Sequence, residues 1–216
     1  MANEGNECVI LLHGLARTSR SMASLERALK KAGYHTYNHN YASTKHTVQY
    51  LAGRTLPKAI QACAKNQKIH FVTHSMGGIL LRQYLQEHSI ENLGRVVMLG
   101  PPNQGSEVVD TLGNFPGFKL INGPAGMQLG TDTQSIINAL PPVDFELGVI
   151  SGTRSINLIL SQILPKPNDG KVSVESTKVE GMSKHLVLPV THTFMMNNKK
   201  VIQAVLSFLK QGTFEA

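Results

Sequence analysis

A short apolar run followed by a helix-patterned stretch recurs along this chain, and that alternation constrains the fold more than any other feature. Strands buried on both faces read as continuous apolar runs, and a helix between each pair returns the chain to lay the next strand parallel. The first run is Cys8-Val9-Ile10-Leu11-Leu12. Behind it, Met22, Leu25, Leu29 and Ala32 share one helical face, with Ser21 as N-cap candidate and Gly33 as stop. His35 to Tyr41 is a second, weaker strand, and a helical stretch from about Thr47 to Lys65 should be interrupted or kinked by Pro57. The third run is Ile69-His70-Phe71-Val72-Thr73, with a helix from Met76 to about Glu87. The fourth, Arg95-Val96-Val97-Met98-Leu99, stops at Gly100-Pro101-Pro102. Leu147 to Ile150 and His185 to Leu188 supply two more. A last helix carries Val201, Ile202, Val205, Leu206 and Leu209 on one side, the stripe expected of a helix docked on a sheet.

The pattern predicts a doubly wound, mostly parallel α/β sheet of about six strands with helices on both faces. With 216 residues and neither internal repeat nor linker, one domain spanning 1–216 is the simplest organisation. Residues 103–145 are the least patterned stretch, rich in Gly, Pro and Asn, with one short helix near Thr133 to Ala139; a lid or an active-site wall would suit them.

Composition excludes several classes. A hydrophobic fraction of 41% with 16% charged residues is that of a globular chain, not a disordered one. No apolar run approaches the roughly 18 residues needed to cross a bilayer. Acidic rather than basic residues precede the first apolar run, unlike a secretory signal, which points to a soluble, cytoplasmic protein. Two cysteines, Cys8 and Cys63, are too few for a disulfide framework and too far apart for a zinc site. The net charge of +7 raises the question of anionic partners. The only adjacent basic pairs are Lys30-Lys31 and Lys199-Lys200, each at the end of a helical pattern, and no basic stripe interleaves with aromatics, so no nucleic-acid partner is expected. Nothing calls for a metal or another cofactor.

Ligands of doubly wound sheets bind beyond the carboxyl ends of the strands. There the third strand runs through Thr73-His74-Ser75-Met76-Gly77-Gly78 directly into a helix. A serine at such a strained turn exposes its hydroxyl above the sheet. Gly77 meets the need for small residues where the helix crosses the strand; Thr73 meets it less fully than glycine would. A glycine-eased turn with an incidental serine is the plain alternative. The first strand ends in His13-Gly14-Leu15. Acyl transfer needs two backbone donors for the oxyanion, and the N–H groups of Met76 and Leu15 are the candidates; His13 more simply fixes the loop's shape.

His13-Gly14-Leu15, Thr73-His74-Ser75-Met76-Gly77-Gly78, Asn168-Asp169-Gly170 and His192, in that order, resemble an α/β-hydrolase, and more narrowly the small, minimal lipases and serine esterases of that superfamily. The likeness runs from about Val9 to Leu209. It implies Ser–Asp–His chemistry on a carboxylic ester, a small molecule or a lipid, with Ser75 as nucleophile. Of four aspartates, Asp110, Asp132, Asp144 and Asp169, the last sits in a late loop between nucleophile and base and matches the lipase D-G-x-V pattern. Asn-Asp-Gly is also a turn signal in its own right; Asp144 is the runner-up, with Glu146 and Glu175 more distant. Of nine histidines, chain order leaves His185 and His192 as base. His192 falls in the loop before the last helix, from which an imidazole reaches over the sheet. His185 opens a strand, and His74, just before the nucleophile, should point away and pack.

The loop Gly100 to Ser106 should border the site, where Asn103 and Gln104 could contact substrate or hold a rigid turn. Leu158, Ile159, Ile163 and Leu164 form an apolar cluster near the mouth, with core packing the default. Three rivals remain: a thioesterase or acyltransferase with the same triad, a non-catalytic binding protein on a hydrolase scaffold, and an anion-binding module, which lacks a phosphate-loop lysine.

Overall fold

The six apolar runs form a single sheet in a computed structural model that describes residues 7–215 apart from 66, 114, 116, 133–134, 157–160 and 163. The strands are β1 (Glu7–Leu12), β2 (His35–His39), β3 (Lys68–His74), β4 (Leu93–Leu99), β5 (Leu147–Gly152) and β6 (Lys184–Leu188). Their order is β2-β1-β3-β4-β5-β6 and every neighbouring pair is parallel. The order reverses between β1 and β3, so the loops leaving those two strands diverge to opposite faces and open a crevice above them. Leu12 pairs with Thr73 in register, which brings the two loops out side by side.

Side-chain alternation divides the core into two layers. Val9 and Leu11 of β1, Val72 of β3 and Val97 of β4 face one side, under α1 (Ala23–Lys31) and α6 (Lys199–Gln211). Ile10, Leu12, Phe71, Val96 and Met98 face the other, under α2 (Val48–Gln61) and α3 (Met76–Glu87). Burying each such side chain contributes about 1.5–3 kcal/mol, which explains why the central strands are apolar throughout. β2 and β6 are the sheet edges and only partly buried, and the apolar signal is correspondingly weak there.

Several details differ from the sequence expectation. Ser21 does not cap α1: a 3-10 turn over Ser19–Met22 runs into the helix and the Ser21 hydroxyl donates to the Thr18 carbonyl. α2 continues through Pro57, because its buried face (Leu51, Thr55, Leu56, Ala59) packs against α3 and outweighs one missing backbone hydrogen bond. Residues 103–145 hold more helix than expected, with α4 (Glu107–Leu112), α5 (Phe118–Met127, kinked at Gly123) and a 3-10 turn over Ile136–Ala139. The segment is tied down at both ends by buried Arg82 of α3, which donates to the Asn103 carbonyl and side chain and to the Leu140 and Pro141 carbonyls. The two cysteines, given no role by counting, form a disulfide between β1 and the chain just past α2.

Candidate active site

β3 ends at His74 and α3 begins at Met76, so Ser75 is the entire connection. Its φ of 52° and ψ of −124° lie where a residue with a side chain is strained. Its hydroxyl does not cap α3 and lines an open cavity above the sheet instead. The tight crossing depends on Gly77, where a Cβ would sit 2.7 Å from the Leu12 carbonyl oxygen and 3.0 Å from that of His13. Threonine fits at position 73 because the residue against it is Gly78, whose missing Cβ would lie 3.2 Å from Thr73 Oγ1.

Asp169 and His192 come together over the end of β4. The imidazole Nδ1–H of His192 donates to Asp169 Oδ2 at 2.7 Å, and both side chains are almost completely buried. Oδ1 of Asp169 accepts from the N–H groups of Lys171 (3.0 Å) and Val172 (2.8 Å), and the His192 N–H donates to the Asp169 carbonyl at 3.1 Å. The turn signal and the acid are therefore one structure: Asn168 Oδ1 accepts from Gly170 N–H, its amide ties down Ser161 and Pro165, and Asp169 is presented at the tip. Space for the pair comes from Gly100, with φ of +52°, whose Cβ would approach both Asp169 Oδ2 and His192 Nδ1 to 3.0 Å. With Nδ1 carrying the proton, His192 Nε2 is left as an acceptor. His192 and Ser75 line the same cavity.

His74 does not point away. Its Nε2–H donates to the His192 backbone carbonyl at 3.0 Å, and the two rings lie 4.8 Å apart, tilted. Burial, reinforced by the neighbouring His192, holds the His74 imidazole well below the ordinary histidine range, so it is neutral. Its position just before the nucleophile suggests packing and gives no sign of a partner 118 residues on.

The cavity has a volume of about 250 Å³. Leu15 lines it beside Ser75, and Met76, as the first residue of α3, has an N–H outside the helical ladder. Val108 and Leu112 of α4, Phe118 and Ile121 of α5, and Leu129 give it an apolar wall. A wider cleft of about 590 Å³ lies at the opposite end of the sheet.

The other candidates fall elsewhere. His185 is bonded to Ser151 Oγ at 2.6 Å, on the edge of the sheet. Asp144 lines the cleft at the far end, Glu146 pairs with Arg95, and Glu175 pairs with Lys178. His13 is fully buried, stacks on Tyr41, and its Nδ1–H donates to the Gly14 carbonyl, shaping the loop. Asn103 and Gln104 are structural rather than substrate contacts, donating to the Thr177 and Lys178 carbonyls; Pro102 and Ser106 of that loop do reach the cavity. Leu164 is core, while Leu158, Ile159 and Ile163 lie outside the described residues. Among the described residues no cluster of His, Cys, Asp and Glu could hold a metal ion, and no helix is long and apolar enough to cross a membrane.

Residues 8–137, more than half of the chain, match the family model of palmitoyl protein thioesterase. The chain belongs to that family. Solved structures similar to this member include the mature lipase BlEst2 of Bacillus licheniformis, with a TM-score of 0.77 and 17% identity over 99% of this chain and 95% of that one. Lipase B of Aspergillus fumigatus gives 0.72 at 14% identity, over 99% of this chain and 54% of that one. Phospholipase PlaB of Legionella pneumophila gives 0.70 at 17% identity, over 93% and 57%. This family member thus spans nearly the whole of the first and little more than half of the other two. At such identities the likeness is one of fold, and it is the α/β-hydrolase fold shared by lipases and esterases. No curated protein matches the sequence.

Proposed function

We propose that this chain is a serine hydrolase of carboxylic esters, working through an acyl-enzyme in a single domain spanning 1–216. Ser75 Oγ attacks the carbonyl carbon while His192 Nε2 takes its proton. Asp169 fixes the tautomer of the imidazole and stabilises the imidazolium that forms. The N–H groups of Leu15 and Met76 receive the oxyanion. Collapse expels the alcohol with the proton from His192, and water, activated by the same imidazole, releases the acid. The acyl chain lies along the α4–α5 wall, the role assigned here to residues 103–145. The observation that carries this reading is the buried 2.7 Å Asp169–His192 bond beside a strained Ser75 on a shared cavity.

Family membership favours a second leaving group. A palmitoyl protein thioesterase cleaves a thioester, and the same residues would serve, with a thiol leaving in place of an alcohol. As for compartment, the cytoplasm expected from the sequence sits poorly with the Cys8–Cys63 bond, and we infer an oxidising environment instead.

The test compares matched oxygen esters and thioesters of one acyl chain. Ser75→Ala should lower kcat on both by several orders of magnitude and Asp169→Asn by about 10⁴-fold. A Ser75→Ala enzyme within about tenfold of wild type would overturn the assignment. The wild-type ratio between the two substrates decides between esterase and thioesterase.

A further inference from the structure

Two cations stand in the wall of the Ser75 cavity, and among the described residues neither forms a salt bridge. Arg17 follows the oxyanion candidate Leu15 by two residues, and Lys171 follows Asp169 by two; both line the cavity along with Ser75, His74 and His192. Neither belongs to a mobile tail of sequence. The turn carrying Arg17 is pinned where Ala16, at a φ of 53°, donates its N–H to Ser43 Oγ at 3.0 Å. Lys171 is anchored on the acid itself through its N–H bond to Asp169 Oδ1.

What sets these two cations apart is their place, since both line the cavity that holds Ser75 and His192. Lys30, Arg95 and Lys178 each hold a glutamate within 2.8 Å. Among the described residues Arg17 and Lys171 make no such pair. Asp169, the acid nearest Lys171 in sequence, has its oxygens engaged by two backbone N–H groups and the His192 imidazole. Lys171 is exposed at its outer side, and within the cavity wall its ammonium feels the Arg17 charge against an opposite pull from Asp169. Both charges also press on His74. Two like charges on the wall of one cavity repel each other, and an incoming anion would relieve that repulsion.

We propose that Arg17 and Lys171 form an anion subsite at the mouth of the Ser75 cavity, and that the preferred substrate is an ester or thioester with a phosphate or carboxylate near the scissile bond. This rests on the serine-hydrolase reading of that cavity. The apolar wall from α4 and α5 suits an uncharged acyl chain, so the charge belongs to the leaving portion. Arg17 offers a planar fork matched to either oxyanion, and Lys171 a point charge beside it.

The experiment measures kcat/KM on monohexanoyl glycerol, its phosphate monoester and the hexanoyl ester of glycolate, which separate the neutral, phosphate and carboxylate cases. Wild type should favour at least one anionic ester over the neutral one by about tenfold or more. An Arg17→Gln, Lys171→Gln enzyme should bring that ratio close to one, while Lys31→Gln, which removes an exposed charge at the end of α1, should keep it. On wild type alone, raising ionic strength from about 0.05 M to about 0.5 M should shrink the ratio several-fold. A wild-type ratio near one, or one that survives the double substitution or the salt, overturns the subsite. Fluorophosphonate labelling of the same samples separates the two claims: a labelled Ser75 without charge preference overturns the subsite alone, whereas an unlabelled wild type overturns the hydrolase reading beneath it.

Discussion

Breaking the Cys8–Cys63 bond should cost this fold about 4 kcal/mol. The bond joins residues 55 apart. Closing a loop of that size removes about 14 cal/mol/K of entropy from the unfolded chain, which is about 4 kcal/mol at 25 °C. For a chain of this length that corresponds to a melting temperature lower by roughly 10 °C. The assay is urea unfolding of the oxidised protein against protein reduced and alkylated under native conditions, read by circular dichroism. Cys8 lies near the start of β1 and the site lies beyond the strand's other end, so reduced protein held well below its melting point should still react at Ser75. A stability difference below about 1 kcal/mol would refute the loop-closure argument. Two titratable thiols in protein unfolded without reductant would refute the bond itself.

Two further outcomes follow from the buried histidines. His74→Ala should lower kcat far more than it changes KM, because the His192 carbonyl loses its donor at a cost of about 1–3 kcal/mol, and His74→Gln should recover part of the loss; an unchanged kcat would remove His74 as a positioning residue. Stability should also fall in acid. Burial lowers the pKa of His13, His39, His70, His74 and His185 from the ordinary 6.5. Below that value the unfolded chain binds protons that the folded one refuses, so stability is fully present above it and declines as pH falls. Equal urea midpoints at about pH 7.5 and about pH 5 would contradict this.

What the sequence discloses depends on how local the determining interactions are. β1, β3, β4 and β5 are buried on both faces and announce themselves as apolar runs, whereas edge strands β2 and β6 keep part of their surface in solvent and read faintly. α4 is only six residues long, and α5 contains Gly123 and Pro124, so neither displays a sustained helical period. Ser21 has the right chemistry for a cap, but the preceding 3-10 turn takes its hydroxyl. Ser75 is legible because its strain is local, at one strand-to-helix junction. Asp169 and His192 can be singled out by chain order, while their mutual contact belongs to the folded chain. The contact of His74 and the disulfide are not legible in the sequence, because the partners lie 118 and 55 residues away with no periodic signal to mark them. Arg17 and Lys171 carry no local mark in the sequence, because it is the fold that brings their two separate loops to one cavity.

The central claim is that Ser75 is an activated nucleophile. Intact mass of wild type and Ser75→Ala after exposure to a fluorophosphonate probe tests it most directly, since only a serine with a working base forms the adduct at a useful rate. The account predicts a single adduct on folded wild type, mapped to the peptide containing Ser75, and none on the variant. An unmodified wild type, or an adduct that persists in Ser75→Ala, would contradict it.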